Sequence, residues 1–387
     1  MIDFRLGEEH EVLRKRVEEF ARTEVAPVIG ELYKRDEFPY ELVAEMGRMG
    51  LYGLPFDTEF GGTGGDFLGL CLSLEELGRV DTSVAITLSA GVSLGAMPIH
   101  RFGTREQKAR WMPQLCAGEA LSAFGLTEPG GGTDVSGLTT TAVLDGDEWV
   151  INGAKSFITN SGTDITRLVT VTAVTGVRAD GRQEASTIVV PSGTPGFEVA
   201  PKYSKAGWNA SDTRGLTFTD CRVPAGNLLG ERGRGIAQFL SVLDESRIAI
   251  SAVGTGVAQG CVDESVRYAR ERRAFGRNLG ANQSVQFKIA DMEVRAQSAR
   301  LAYYQAASKM LRGEPFAKEA SVAKLVSSAA AMDNARDATQ IFGGYGALND
   351  YPVARFYRDA KVLEIGEGTS EVQRMLIARA LGVQAAA

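Results

Sequence analysis

AVLDGDEWVING, residues 142–153, is the stretch on which the fold turns. Two strand-like runs flank Asp145-Gly146, and an Asp-Gly pair between such runs reads as a β-hairpin. Further strand candidates follow in RLVTVTAVT (167–175), STIVV (186–190) and GLTFTDCRV (215–223), each bounded by Gly, Pro or Asp. A β-rich block is therefore expected over residues 121–233. Before it the pattern is helical. HEVLRKRVEEFARTEV (10–25) places Val12, Leu13, Val17, Phe20 and Val25 near one helix face. FLGLCLSLEELGRV (67–80) and SVAITLSAGVSLGAM (83–97) are apolar nearly all round, as buried helices are. TREQ (104–107) has the spacing of a capping box. After residue 236 the helical period returns, with Val285, Ile289, Met292, Ala296, Ala299 and Tyr303 three or four apart. Helices, then strands, then helices predict an α+β chain of segregated domains, not a wound βαβ sheet. The expected divisions are an N-terminal helical domain (1–120), a middle β-domain (121–233) and a C-terminal helical bundle (234–387).

The totals narrow the function classes. A chain of 387 residues, 44% hydrophobic and 23% charged, can bury a large shared core. A net charge of -6 without long basic runs argues against a nucleic-acid surface. The N-terminal stretch has no signal-peptide core, and no segment is read as inserting into a membrane, so a cytoplasmic location is expected. The four cysteines are scattered, which suggests neither a disulfide framework nor a CxxC metal site. With only two histidines, His10 and His100, acid–base chemistry is expected to fall to a carboxylate.

Two motifs are decoys. GVSLG (91–95) matches a nucleophile elbow but lies in a helical context, with no histidine later than His100. GTGVAQG (254–260) approximates a dinucleotide fingerprint but continues a helix, where glycines serve close helix packing.

EIGEGTSEVQR (364–374) raises a sharper question, because Gly366 and Gly368 bracket the charged Glu367 just before a helix. Such glycines cost backbone entropy and imply a turn or a close approach. SEVQ (370–373) has capping-box spacing for the helix that follows. Three other stretches offer complementary chemistry. FGLTEPGGGTDVSG (124–137) is a glycine-rich turn with threonine hydroxyls, and INGAKSFITNSG (151–162) presents Phe157 and Thr159. ARERRAFG (269–276) and QIFGGYG (340–346) combine arginines with a glycine bend suited to phosphate.

Taken in order, TEPGGGTDV, GWNASDT, DESR, ERRAFG, QIFGGYG and EGTSEVQR resemble the acyl-CoA dehydrogenase family over nearly the whole chain. The resemblance implies an N-terminal helical domain, a middle β-domain and a C-terminal four-helix bundle, assembled as a homotetramer with noncovalent FAD. It implies α,β-dehydrogenation of an acyl-CoA, with electrons passed to an electron-transferring flavoprotein. Glu367 corresponds to the catalytic base. Phe124, Leu126, Thr127 and Thr133 correspond to contacts with the flavin and the nearby acyl-CoA, Phe157 to a residue against the ring, and Thr159 to a hydrogen bond near its reactive nitrogen. Arg272, Phe275, Gln283 and the bend from Gln340 through Gly343 and Gly344 are expected to reach a neighbouring subunit's cofactor. Thr369 and Glu371 complete the site beside the base. Thr133, Asp244, Ser246, Arg247 and Gly368 form the implied acyl-CoA contact set.

Departures from the family pattern are informative. Gly366 stands where many members carry an aromatic residue, which implies more room near the acyl chain. Phe157 replaces a frequent Trp, and Ala274 a frequent Thr. Long-chain and isovaleryl members place their base at the position of Ser246. Serine there, with Glu245 expected to point off that face, favours Glu367. The alternatives are an oxidase or desulfinase-like variant of the scaffold, or a catalytically silent binding protein.

Overall fold

The computed structural model describes residues 5–135 and 137–383. Its first part is helical: α1 (Glu8–Phe20), α2 (Ala26–Lys34), α3 (Tyr40–Arg48), α4 (Phe67–Gly78), α5 (Thr82–Ser89), α6 (Met97–Phe102) and α7 (Arg105–Cys116). A π-helical turn at 21–25 joins α1 to α2 just ahead of Pro27. Val17, Phe20 and Val25 are buried as expected, but Val12 is 61% exposed. It stands one residue, about 100° of helix rotation, from Leu13, so it cannot share that face. The box at Thr104 forms in full, with Thr104 Oγ1 accepting from the Gln107 amide and Gln107 Oε1 from the Thr104 amide.

The segment Thr82–Phe102 is long and apolar enough by composition to cross a membrane, which the sequence reading passed over. Within the fold, 94% of its most apolar window is buried, and it serves as core. GVSLG forms a second π-helical turn inside this segment. A Cβ added at Gly95 would fall 2.3 Å from the Ser122 carbonyl oxygen, so that glycine admits the neighbouring strand.

The middle part is an eight-stranded sheet in the order β6-β7-β3-β2-β4-β5-β8, with β1 added in parallel to β4. The strands are β1 (Leu121–Gly125), β2 (Thr141–Asp145), β3 (Glu148–Thr159), β4 (Thr166–Val177), β5 (Gln183–Pro191), β6 (Phe197–Val199), β7 (Thr213–Pro224) and β8 (Leu228–Leu229). The opening stretch is its central hairpin. Asp145 pairs with Glu148, so the two-residue turn is Gly146-Asp147, one residue later than the Asp-Gly pair suggested. Gly146, at φ +64°, supplies the left-handed residue that turn needs. Trp149, Ile151, Val169, Val171, Ile188 and Phe218 fill the interior of this layer.

The last part is a bundle built on α8 (Gly235–Glu271), α9 (Gln283–Leu311), α10 (Ala317–Phe342) and α11 (Pro352–Leu363), with α12 (Ser370–Ala380) against α10. A short ribbon, β9 (Arg273–Ala274) with β10 (Arg277–Asn278), joins α8 to α9. The glycines of GTGVAQG let α8 cross α4 closely. A Cβ at Gly256 would lie 2.2 Å from the Glu75 carbonyl oxygen, and one at Gly260 2.3 Å from that of Arg79. All four cysteines are unpaired and buried.

Candidate active site

The turn after α11 carries Glu367 at φ +56°, followed by Gly368 at φ +90°. A left-handed glutamate is uncommon and is held only where its surroundings over-determine it. Here they do. Lys324 Nζ donates to the Gly368 carbonyl at 2.8 Å, and Gln373 Nε2 donates to the same oxygen at 2.9 Å and to the Glu367 carbonyl at 3.3 Å. The expected cap is displaced by one residue. Thr369, not Ser370, caps α12 by accepting from the Val372 amide at 3.3 Å, because the Gln373 side chain is spent on the turn.

The carboxylate faces α8. Ser246 Oγ donates to Glu367 Oε2. Oε1 is buried and, among the described residues, accepts no hydrogen bond. Burial raises the carboxyl to about 7, against the Ser246 hydrogen bond and the positive charges of Lys324 and Arg247. Among the described residues the Glu367 amide also finds no acceptor. The site thus offers a carboxylate oxygen with raised proton affinity and, one bond series away, a free N–H.

Arg247 is buried and paired with Asp244 one turn back on α8. Glu245 turns the other way and pairs with Arg101 of α6, as expected of it. Gly366 is not simply open space. The Trp208 ring reaches within 3.7 Å of where a Cβ at 366 would lie, so an aromatic from another segment covers that side. Trp208 is fixed in turn by its amide, which donates to buried Asp359 at 2.7 Å; Tyr33 Oη donates to the same carboxylate oxygen at 2.7 Å.

A second group of residues lies on the sheet. Phe124 on β1 stacks on Phe239 of α8 with centroids 3.9 Å apart. Leu126 is buried, Thr127 half-buried and Thr133 exposed in the turn after β1. That turn is braced by a buried ion pair, in which Lys155 Nζ donates to Glu128 Oε1 at 2.7 Å and to the Leu126 carbonyl at 3.2 Å. Although burial opposes ionisation, hydrogen bonds from Lys155, Thr139 and Thr140 hold Glu128 down to about 2. Two residues beyond Lys155 the β3–β7 register shifts, and Phe157 stands out at φ +61° and 68% exposed, beside Tyr203. Thr159, half-buried, follows on the same strand.

A third group surrounds the end of α10. Arg272, Phe342, Gly343, Gly344 and Tyr345 line one cavity, with the Arg272 guanidinium 5.5 Å from the Tyr345 ring centre. Gly343 adopts φ +61°, ψ -134°, and no atom of the described residues lies within 4 Å of a Cβ placed at Gly343 or Gly344. Gln340 is exposed one turn before them. Phe275 is 97% exposed on the ribbon, and Gln283 and Glu371 are exposed in the first turns of α9 and α12.

The donor set fits a flavin dinucleotide. An outstanding aromatic ring beside free hydroxyls suits an isoalloxazine, and an arginine beside an open glycine bend suits a pyrophosphate. Sequence reasoning missed Lys324, Gln373, Phe239 and Trp208. For Lys324 a signal exists, since it is a lone charge on the stripe Ala320, Ala323, Ser327, Ala331 that α10 buries.

Comparisons with known proteins identify the family. Family models match three successive regions: acyl-CoA dehydrogenase, N-terminal domain (7–119), middle domain (123–221) and C-terminal domain (233–382). The short-chain specific acyl-CoA dehydrogenase of Clostridium acetobutylicum is 43% identical over 97% of this chain and 98% of its own. The butyryl-CoA dehydrogenase of Megasphaera elsdenii superposes with a TM-score of 0.94 at 41% identity, covering 98% of this chain and 100% of its own. A chain from the structure described as the electron transferring flavoprotein of Acidaminococcus fermentans superposes at 0.95 with 41% identity, covering 98% and 99%. The chain belongs to the acyl-CoA dehydrogenase family.

Proposed function

We propose that this chain converts an acyl-CoA thioester to the trans-2-enoyl-CoA, with Glu367 as the base and the three domains divided near residues 120 and 233. The observation that carries the proposal is the buried, unpartnered Oε1 of Glu367, whose proton affinity is raised to about 7. A base poised near neutral pH combines the correct protonation state with a strong pull on the proton. The α-proton passes to a Glu367 carboxylate oxygen. The Glu367 amide would donate to the thioester carbonyl, which acidifies the α-carbon as charge develops there. Bound FAD would supply the acceptor for the hydride lost from the β-carbon as the double bond forms. Phe157, Thr159, Thr127 and Leu126 would hold its ring, and Arg272 with the Gln340–Gly344 bend a neighbouring subunit's pyrophosphate. Asp244 and Arg247, Ser246, Thr133 and Gly368 would bound the acyl-CoA. The short-chain and butyryl names of the relatives, with Trp208 closing the space over Gly366, favour a short acyl chain. The electron acceptor is an electron-transferring flavoprotein, and the location the cytoplasm.

The test is anaerobic flavin reduction by an acyl-CoA panel. E367Q keeps the side chain's shape but cannot take the proton, so it should bind FAD and substrate analogues while reduction slows about 10²–10⁴-fold or more. Reduction at the wild-type rate would remove Glu367 from the mechanism.

A further inference from the structure

Lys324 is 1% exposed on α10, and its ammonium donates to the carbonyl of Gly368, the residue after the base. That carbonyl does not depend on it. Gln373 Nε2 already donates to the same oxygen at 2.9 Å, so a neutral side chain suffices to close the turn. What lysine adds is charge. Burying an ammonium against a neutral carbonyl is costly unless an anion lies near enough to offset it. The anions that face it are Glu367 foremost, then Glu364 at the end of α11 and Glu371 in the first turn of α12, with Arg247 of α8 opposing. Around Glu367 itself stand Ser246 and Arg247 from α8 and Lys324 from α10. Arg247 is already paired with Asp244, whereas among the described residues the Lys324 ammonium forms no ion pair and is anchored on the carbonyl beside the base.

We propose that Lys324 is a positioning residue for Glu367: its hydrogen bond to Gly368 sets the ammonium beside the base, and its charge favours the ionised carboxylate within the dry site. The inference rests on Glu367 being the base and adds what sets the pH at which that base works. Burial lowers the Lys324 ammonium to about 8, so it is still largely charged at neutral pH. A neutral residue at 324 removes one of the two cations opposing the desolvation of Glu367. The carboxyl then holds its proton to higher pH.

Infrared difference titration of the FAD-loaded, substrate-free enzyme reads this directly. The protein carries carboxyl-labelled glutamate, and the Glu367 band is identified by its loss in E367Q. K324M and K324Q should both raise the midpoint of that band by roughly one pH unit or more. The rising limb of the flavin-reduction rate should move with it. K324R, which keeps the charge, should leave both near wild type. An unmoved midpoint in either folded neutral variant, or K324R moving as far as K324M, overturns the proposal. The two readings fail separately. If E367Q still reduced its flavin at the wild-type rate, the base assignment would fall, while the titration would still report whether the Lys324 charge acts on Glu367.

Discussion

Glu367 combines two features that each cost free energy, a left-handed backbone and a carboxyl withdrawn from water. The cost depends on pH with a definite sign. Because burial raises its folded proton affinity to about 7 from an ordinary carboxyl near 4.5, the native state binds more protons than the unfolded chain between those values. Stability contributed by the neutral carboxyl is complete at low pH and is lost as pH rises toward 7. E367Q has no such dependence. Calorimetry of FAD-loaded protein should therefore show E367Q gaining on wild type as pH is raised from 5 to 8, and a constant difference would contradict the raised affinity. At this scale the sequence displayed the chemistry but not the support. Glu367 stood out because two glycines bracketed it. The partners that hold it, Lys324 and Gln373, act through carbonyls to which no local pattern points, and Lys324 lies 44 residues from Gly368.

At the scale of elements, periodicity placed the long helices and strands, and tertiary contacts moved their edges. The hairpin turn slid by one residue because register is set by pairing on both strands, and the cap of α12 fell to Thr369 because Gln373 was needed elsewhere. Val12 faced outward because helix rotation leaves no latitude between neighbours. The crossing of α8 past the turn after α11 was not legible as geometry, although the family resemblance pointed to Ser246. Its hydroxyl meets the carboxylate of Glu367, so a carboxylate on α8 at that position would enter the same space from the opposite wall. S246E in the E367Q background should recover part of the lost flavin-reduction rate, with an altered preference for chain length. Stopped-flow bleaching of the FAD-loaded double variant that is no faster than E367Q would show that the two walls do not address one atom.

The whole molecule leaves apolar surface that one subunit does not cover. Phe287, Val294 and Leu301 recur every seven residues along α9 and are 59%, 64% and 49% exposed, a stripe along one helix face. The family assembles as homotetramers, and such a stripe suits a subunit contact. F287E/V294E should shift sedimentation toward smaller species. It should also release FAD, since Arg272 and the glycine bend are assigned to a neighbour's cofactor. A tetramer that survives both charges would place the contact elsewhere.

The unpaired cysteines have a practical consequence. All four are buried, and burial raises the thiols of Cys116 and Cys221 to about 12 and 11 and those of Cys71 and Cys261 well above the ordinary range. Thiolate is the reactive form, so the native surface is silent toward maleimides. A single cysteine introduced on an exposed site away from the α9 stripe, such as position 177, then becomes the one address at which a dye or spin label attaches. Distances between copies can be mapped in the working enzyme without first stripping out its own sulfur.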